Sequence, residues 1–536
     1  FQTQANYRID GDKVTTTLQQ ALQVASTDSI STIELLGGYD DKSEVIIDKD
    51  VVLDLKGYVL TREDEITINE DATLRITGKE NSQITTEDSN TSTIVNKGEL
   101  IIYGNVVIEN SSTSESNRTI YNDGEKAVVY IDENAWIRGY YYGIYNHSGI
   151  INIQNGRVES TYSASSARAI FNETSTSKVN IDNGEIQGYY GIYNNDSNSI
   201  VEIKGGKVVG LNANGIHNIG IVNLYGGRVE GKAYGIYSES SNTVTIGRET
   251  DVLTDTSPVV YGQAYGVRMS DDTYQFNLFN GSIVSTSKNT NYNGILNPRK
   301  GYMPYTYKTT YETYDMYNTS LTEVVDSIEI TSDSTTVGFI NKDVSITVKF
   351  PYNINNKKEY SLDGTTWTET KDYVLEVVLS ENKTLYVRTT DEQGNVLEEK
   401  EFEVNNIDKD DPIIEVTPEQ TSYTVFALDE TLDLNFTINI EDIGISGLSS
   451  TQYAWAKDGE QVVFEDLNST TLNKTNLGIG TYRLYIRAID NAGNDVEIVK
   501  AYVISLDPSV EIKPETEETT STSTTSTSTT TTETTD

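Results

Sequence analysis

Tyr142-Gly143-Ile144-Tyr145-Asn146 decides how this chain is read, because it returns with small changes. The copies are Thr119-Ile120-Tyr121-Asn122, Ala169-Ile170-Phe171-Asn172, Gly191-Ile192-Tyr193-Asn194, Gly215-Ile216-His217-Asn218, Gly235-Ile236-Tyr237-Ser238 and Gly294-Ile295-Leu296-Asn297. Counted from Ile68 through Ile94 and Ile120 to Ile236, the isoleucines recur every 20 to 26 residues. Periods of that length make each repeat one supersecondary unit stacked on its neighbours, which is a solenoid.

A second phrase falls between the copies of the first: Asn155-Gly156-Arg157-Val158, Asn183-Gly184-Glu185-Ile186, Gly205-Gly206-Lys207-Val208, Gly226-Gly227-Arg228-Val229 and Asn280-Gly281-Ser282-Ile283. Each follows a short alternating segment such as Ile151-Asn152-Ile153, so one period holds about three short strands parted by Asn/Gly turns. Helices are excluded by the β-branched and aromatic content and by glycines that would each cost a helix about 1 kcal/mol. The solenoid is therefore an all-β parallel β-helix. Alternation places Ile144 inside, Tyr145 outside and Asn146 inside at a turn. Stacked turns then build an internal Ile ladder, an external aromatic ladder, and an internal column of Asn96, Asn122, Asn146, Asn172, Asn194 and Asn218. An amide is both donor and acceptor, so such a column can bond along itself.

At the N-terminus, Leu18, Ala21, Leu22 and Ala25 share one face of a short helix, followed by strands at 32–35, 44–47 and 51–61. The run Val52-Leu53-Asp54-Leu55 followed by Gly57-Tyr58 resembles the opening of pectate-lyase-like domains, over about residues 1–320. That resemblance implies a right-handed parallel β-helix whose capping helix closes the first coil. The tyrosine-rich stretch 302–317 reads as the cover of the other end.

Two segments of seven or so short strands follow. Tyr360-Ser361-Leu362-Asp363-Gly364 leading to Trp367, and Ala488-Ile489-Asp490-Asn491-Ala492-Gly493-Asn494, are similar to the strands of immunoglobulin-like modules in bacterial surface proteins. The resemblance implies two spacer sandwiches, packed around Trp367 and Trp455 because no disulfide is available. From Thr519 to the end every residue is Ser or Thr except Glu533 and Asp536, the composition of a disordered stalk. The expected organisation is a β-helix over 1–325, sandwiches over 326–406 and 407–507, and a Thr/Ser stalk over 508–536. Such tails precede an anchor, yet no sorting signal or apolar span of 18 residues is visible.

With 81 acidic against 40 basic residues and a net charge of −41, the chain repels nucleic acid and anionic membranes. The absence of cysteine and of an initiator methionine fits an exported, processed protein. Asn-x-Ser/Thr triplets occur at Asn110, Asn117, Asn146, Asn172, Asn382, Asn435, Asn468 and Asn473; use of Asn146 and Asn172 for glycosylation conflicts with their place in the buried ladder.

Enzymatic chemistry finds only fragments. Paired carboxylates for glycoside hydrolysis are present at Asp271-Asp272, but a solvated turn explains them. His217 fills an aromatic slot of the repeat and His147 a turn. Arg157, Lys207 and Arg228 form a basic stripe beside Glu159 and Glu230, where a lyase would want a base, and a charged ladder is the simpler account. No catalytic residue and no cofactor is expected; Asp490, Asn494 and Asp495, with Glu441-Asp442, would suit Ca²⁺, although turn chemistry selects the same residues. The remaining feature is the outward ladder Tyr121, Tyr145, Phe171, Tyr193, His217 and Tyr237, with Tyr142, Tyr190, Tyr234 and Tyr265 on the same face. Stacked aromatics stabilise a sheet; exposed ones also form a strip for sugar rings or a protein. The whole resembles bacterial cell-surface adhesins. The expectation is a monomeric, extracellular binding protein with a host or environmental glycan or a surface protein as ligand, attached to the cell envelope through its C-terminal side. The alternatives are a polysaccharide lyase or glycoside hydrolase, and a structural surface-layer component.

Overall fold

A computed structural model describes residues 5–86, 91–114, 116–253, 258–287, 291–311, 314–334 and 337–510. The chain is all-β, with one short helix among the described residues and a parallel β-solenoid of about 11 turns. Three sheets of 14, 13 and 10 strands run along it. The ten-stranded sheet carries the repeated phrase, in strands such as Tyr142–Asn146, Arg168–Asn172 and Tyr190–Asn194. Neighbouring rungs align residue for residue: Ile144 opposite Ile170, Tyr145 opposite Phe171, Asn146 opposite Asn172. The ladder isoleucines are fully buried.

The asparagine column forms as the sequence implies. Each Nδ2 donates to the next Oδ1 along Asn96, Asn122, Asn146, Asn172, Asn194 and Asn218, at 2.7–2.8 Å, and Asn218 continues to Ser238 Oγ at 3.1 Å. All six are sealed from solvent.

Three details of register differ from expectation. Ile66, not Ile68, lies opposite Ile94; Ile68 occupies the slot below Asn96, a shift of two residues that keeps both on the inner face and so leaves no trace in the alternation. The run 51–61 is broken by a turn at Lys56 and Gly57, both with positive φ, so Val51–Asp54 and Val59–Arg62 lie in different sheets. The phrase at 294–297 leaves the phrase sheet: Ile295–Pro298 pairs with Gln275–Leu278 in the 14-stranded sheet, and Tyr292 bridges to Val267 instead.

Both ends of the solenoid are closed. The helix Leu18–Val24, capped by Thr17, buries Leu18, Ala21 and Leu22 against the first turn. Beneath it the fully buried Arg62 guanidinium donates to the carbonyls of Asp41 and Ser43 at 2.7 and 2.6 Å. The Asp41 carboxylate accepts from Tyr7 Oη (2.9 Å) and from Leu18 N (2.7 Å), which ties helix, hairpin and first coils together. At the far end the hairpin of Tyr302–Tyr311 and Tyr314–Glu323 adds antiparallel to Ser282–Ser285 and covers the last coil.

The later sheets are antiparallel pairs that immunoglobulin-like sandwiches fit: three strands with four, then three with five. In the first, Ile346, Val348, Phe350, Leu385 and Val387 make the core. Trp367 does not. It sits half-buried outside that core with the Arg388 guanidinium 3.8 Å above its ring, because Arg388 is drawn over it by the Glu359 carboxylate at 2.8 Å. In the second, Trp455 packs as expected, within 5.6 Å of Phe436 and of Tyr482. From residue 511 onward the Thr/Ser tail lies outside the described residues.

Candidate functional site

The outer face of the phrase sheet carries the aromatic ladder. Ring centroids are 5.6 Å apart for Tyr121–Tyr145, 4.9 Å for Tyr145–Phe171, 5.7 Å for Phe171–Tyr193, 4.1 Å for Tyr193–His217 and 5.1 Å for His217–Tyr237. A second column stands beside it, Tyr142 lying 5.2 Å from Tyr145 and Tyr190 5.6 Å from Tyr193. Strict alternation would turn residues 142 and 145 to opposite faces. They share one because Gly143 and Ile144 both point inward at a corner, where a Cβ on residue 143 would come within 2.7 Å of Val158 Cγ1 and 2.9 Å of a backbone carbonyl.

The strip is corrugated rather than flat. Three ladder contacts meet at 67–81°, the favoured edge-to-face arrangement, and Phe171–Tyr193 is tilted at 57°. Tyr193 and His217 alone in the ladder are nearly parallel, at 9°. His217 is only 7% exposed, so this predicted contact residue offers little surface; the five other ladder rings are half-buried. Burial holds the His217 imidazole below its ordinary value, against the pull of Glu239 at 3.2 Å. Burial likewise pushes up the phenols of Tyr121, Tyr193 and Tyr237, and Glu173 adds to the effect at Tyr145.

Three arginines complete the face. Arg118 lies 4.1 Å from the Tyr145 centroid, Arg168 4.6 Å from Tyr193, and Arg268 4.9 Å from Tyr234. Arg118 and Arg168 alternate in register with Tyr142 and Tyr190. Their signal was in the phrase itself, since Arg118-Thr119-Ile120 and Arg168-Ala169-Ile170 put arginine where other copies put tyrosine. The assembled surface offers ring edges, phenol hydroxyls and guanidinium groups, with Glu173 and Glu239 at its border.

The other candidates separate. Asp271 accepts from Thr273 N and Oγ1 at 2.8 and 2.6 Å, and Asp272 faces Asn293 Nδ2 at 3.0 Å, so this pair is built into turns. His147 is tied to Glu173 at 2.6 Å. The basic stripe is interrupted by an acid: Arg157, Glu185, Lys207 and Arg228 are successive rungs. Lys207 pairs with Glu230 at 3.0 Å and Arg157 with Glu159 at 3.5 Å.

Among the acidic residues singled out for Ca²⁺, the fold gathers Asp442 and Asp490 and leaves Glu441 and Asp495 exposed outside the group. Asp408, from the connection between the sandwiches, is the third member, and the ligand oxygens lie within 4.8 Å of one another. Asp408 and Asp490 are buried. Asp408 accepts from Ile445 N and Ser446 N, and Asp490 from the amides of Ala492, Gly493 and Asn494, at 2.7–2.9 Å. Hydrogen bonding of that kind keeps the Asp408 carboxyl below its usual range in spite of burial. Three carboxylates at this spacing could hold a divalent cation through oxygen.

No known protein family matches the chain, and no curated protein matches it in sequence. Among solved structures, three N-terminal domains of the bacteriophage RB49 highly immunogenic outer capsid protein align at 13% identity and a TM-score of 0.18, over 33% of this chain and 58% of that one. Clostridium thermocellum CbhA fibronectin(III)-like modules align at 15% and 0.17, over 35% and 100%. A Ca²⁺-stabilised adhesin by which an Antarctic bacterium binds ice aligns at 11% and 0.21, over 39% and 57%. The chain thus spans under two thirds of the phage and adhesin chains, and likenesses this distant carry no argument about function. Among the described residues no helix is long and apolar enough to cross a membrane.

Proposed function

We infer that this chain works by binding rather than turnover, as an extracellular adhesin-like protein whose solenoid engages a glycan or a protein along its aromatic face. The observation that carries the reading is the unbroken column from Tyr121 to Tyr237, in which successive rings lie within 5.7 Å and five remain half-exposed. Rings that served the sheet alone would gain by full burial; an edge left in water on a soluble protein is surface for a partner. The arginines add hydrogen-bond donors suited to sugar hydroxyls or to carboxylates. The two sandwiches act as spacers and the Thr/Ser segment as a stalk toward the cell envelope, and the protein is monomeric. The pectate-lyase-like opening gives kinship of fold, with no catalytic role for Asp271, Asp272 or Arg157.

A structural reading has one observation in its favour: Arg118, Arg168 and Arg268 already occupy ring faces, so much of the attraction is spent inside the molecule. A glycan and surface-protein panel separates the two, with retention and product release measured on the full chain and on Tyr145→Ala/Tyr193→Ala. Retention by the parent and at least tenfold weaker retention by the folded variant is the expected result. Released products would make it an enzyme, and silence on the whole panel would leave the structural role.

A further inference from the structure

Between the last coil of the solenoid and the first sandwich lies a cleft of about 450 Å³, lined by Tyr292 and Leu296 on one side and by Tyr352, Lys358 and Tyr373 on the other. Beside it Tyr305 Oη donates to Glu376 Oε1 at 2.9 Å, a bond between the two units. The volume falls in the range of small-ligand sites, and the lining mixes aromatic and aliphatic walls with amides, lysines and one carboxylate.

Lys358 is the unusual member. It is 6% exposed, and its Nζ stands 3.8 Å from the Tyr373 centroid. Among the described residues it makes no hydrogen bond and no ion pair through Nζ. Burial depresses the ammonium, with Asp372 and Glu369 acting in the opposite direction from farther off. Glu369, which lines the same cleft, and Asp372 offset part of that penalty without pairing with the ammonium, so the buried charge remains costly to hold in a fold. An incoming anion removes that cost, so the cleft is prepared for negative charge. Lys357 and Lys371 line the same cleft, so three ammonium groups face one carboxylate, Glu369, in a protein with twice as many acids as bases. Tyr352 and Tyr373, 4.7 Å apart and inclined at 50°, offer ring surface for the C–H face of a pyranose, and Asn355 and Asn356 offer amides for its hydroxyls.

We propose that this cleft is a second binding site, separate from the aromatic ladder, and that it takes a carboxylated pyranose with its carboxylate on Lys358. The test is calorimetric titration of the full chain with galacturonic acid, N-acetylneuraminic acid and neutral galactose. At least one acidic sugar is expected to bind at least tenfold more tightly than galactose. Lys358→Met is expected to reduce that affinity at least tenfold with no fall in Tm, since it replaces an unpaired buried charge by a side chain of similar length. Tyr352→Leu is expected to weaken binding with the fold intact, and Tyr145→Ala/Tyr193→Ala to leave it unchanged, so the site stands or falls independently of the ladder. Equal binding of galactose, no binding of either acid, or affinity unaltered in Lys358→Met would overturn the proposal. So would a marked loss of Tm in Lys358→Met, which would make the ammonium a structural element.

Discussion

The asparagine column of the solenoid and the Asp408–Asp442–Asp490 cluster of the second sandwich, two of whose three carboxylates are buried, solve the burial of polar groups in opposite ways. An amide carries donor and acceptor, so each asparagine is completed by a translated copy of itself one turn along. A carboxylate only accepts. Three of them cannot complete one another, and they depend on backbone N–H groups brought round by tight turns. Repetition stabilises the first arrangement and works against the second, which is why the stacked rungs have a neutral column while buried charge sits where nothing repeats, Arg62 with Asp41 at the cap and the carboxylate cluster in a sandwich.

Converting one type into the other tests this most severely. Asn146→Asp would keep the bond from Asn122 but set a carboxylate against Asn172 Oδ1 and the Gly149 carbonyl, which accept from Asn146 Nδ2 at 2.8 and 3.2 Å. A loss of about 4 kcal/mol or more is expected from an unpaired buried charge, against about 2–3 kcal/mol for Asn146→Leu; denaturant melts of both variants measure the gap. Equal losses would show that acceptor crowding is not the reason for amides.

Calcium provides the next largest expected effect. At a hundred times its dissociation constant a cation bound only by the folded state adds about 2.7 kcal/mol, so chelation should lower Tm and Asp442→Asn should abolish the response. A melt indifferent to Ca²⁺ and to chelator would mean that turn N–H groups suffice for the cluster.

His217 gives a smaller, pH-dependent effect. Because burial lowers its folded pKa below the ordinary 6.5, the unfolded chain takes up the proton first as pH falls, and stability declines in acid from about that pH downward. Above that window the imidazole is neutral in both states and contributes nothing. The slope should flatten in His217→Phe, which keeps the stack on Tyr193; an unchanged slope would assign the acid sensitivity to carboxylates. Smallest of all is Glu185→Gln in the exposed stripe, where the Arg157 pair spans 3.9 Å; less than about 1 kcal/mol is expected, vanishing in high salt.

What could be read in advance follows the same division. Each rung of the solenoid repeats its evidence, so Ile144, Tyr145 and Asn146 reveal their faces by comparison with Ile170, Phe171 and Asn172. Where repetition ends, the pattern is ambiguous: Ile68 and Ile66 are both inward isoleucines, and only hydrogen-bond pairing tells them apart. Arg62 and Asp41 meet 21 residues apart in a cap that occurs once. Asp408 joins Asp442 and Asp490 across a connection whose path no local pattern fixes. The immunoglobulin-like resemblance implies a core around Trp367, yet Arg388 and Glu359 hold it outside.

The asparagine column also has a direction. Every amide donates toward the C-terminal end, so its dipoles point one way and its first acceptor, Asn96 Oδ1, is left buried without a donor above Ile68. A chain with these links is quantised in length. Duplication or deletion of one whole turn adds or removes one link and about 4.8 Å of reach, leaving both caps untouched, whereas a fractional insertion would set amide against isoleucine. Descendants of this protein can therefore grow or shrink by turns more readily than they can change within one.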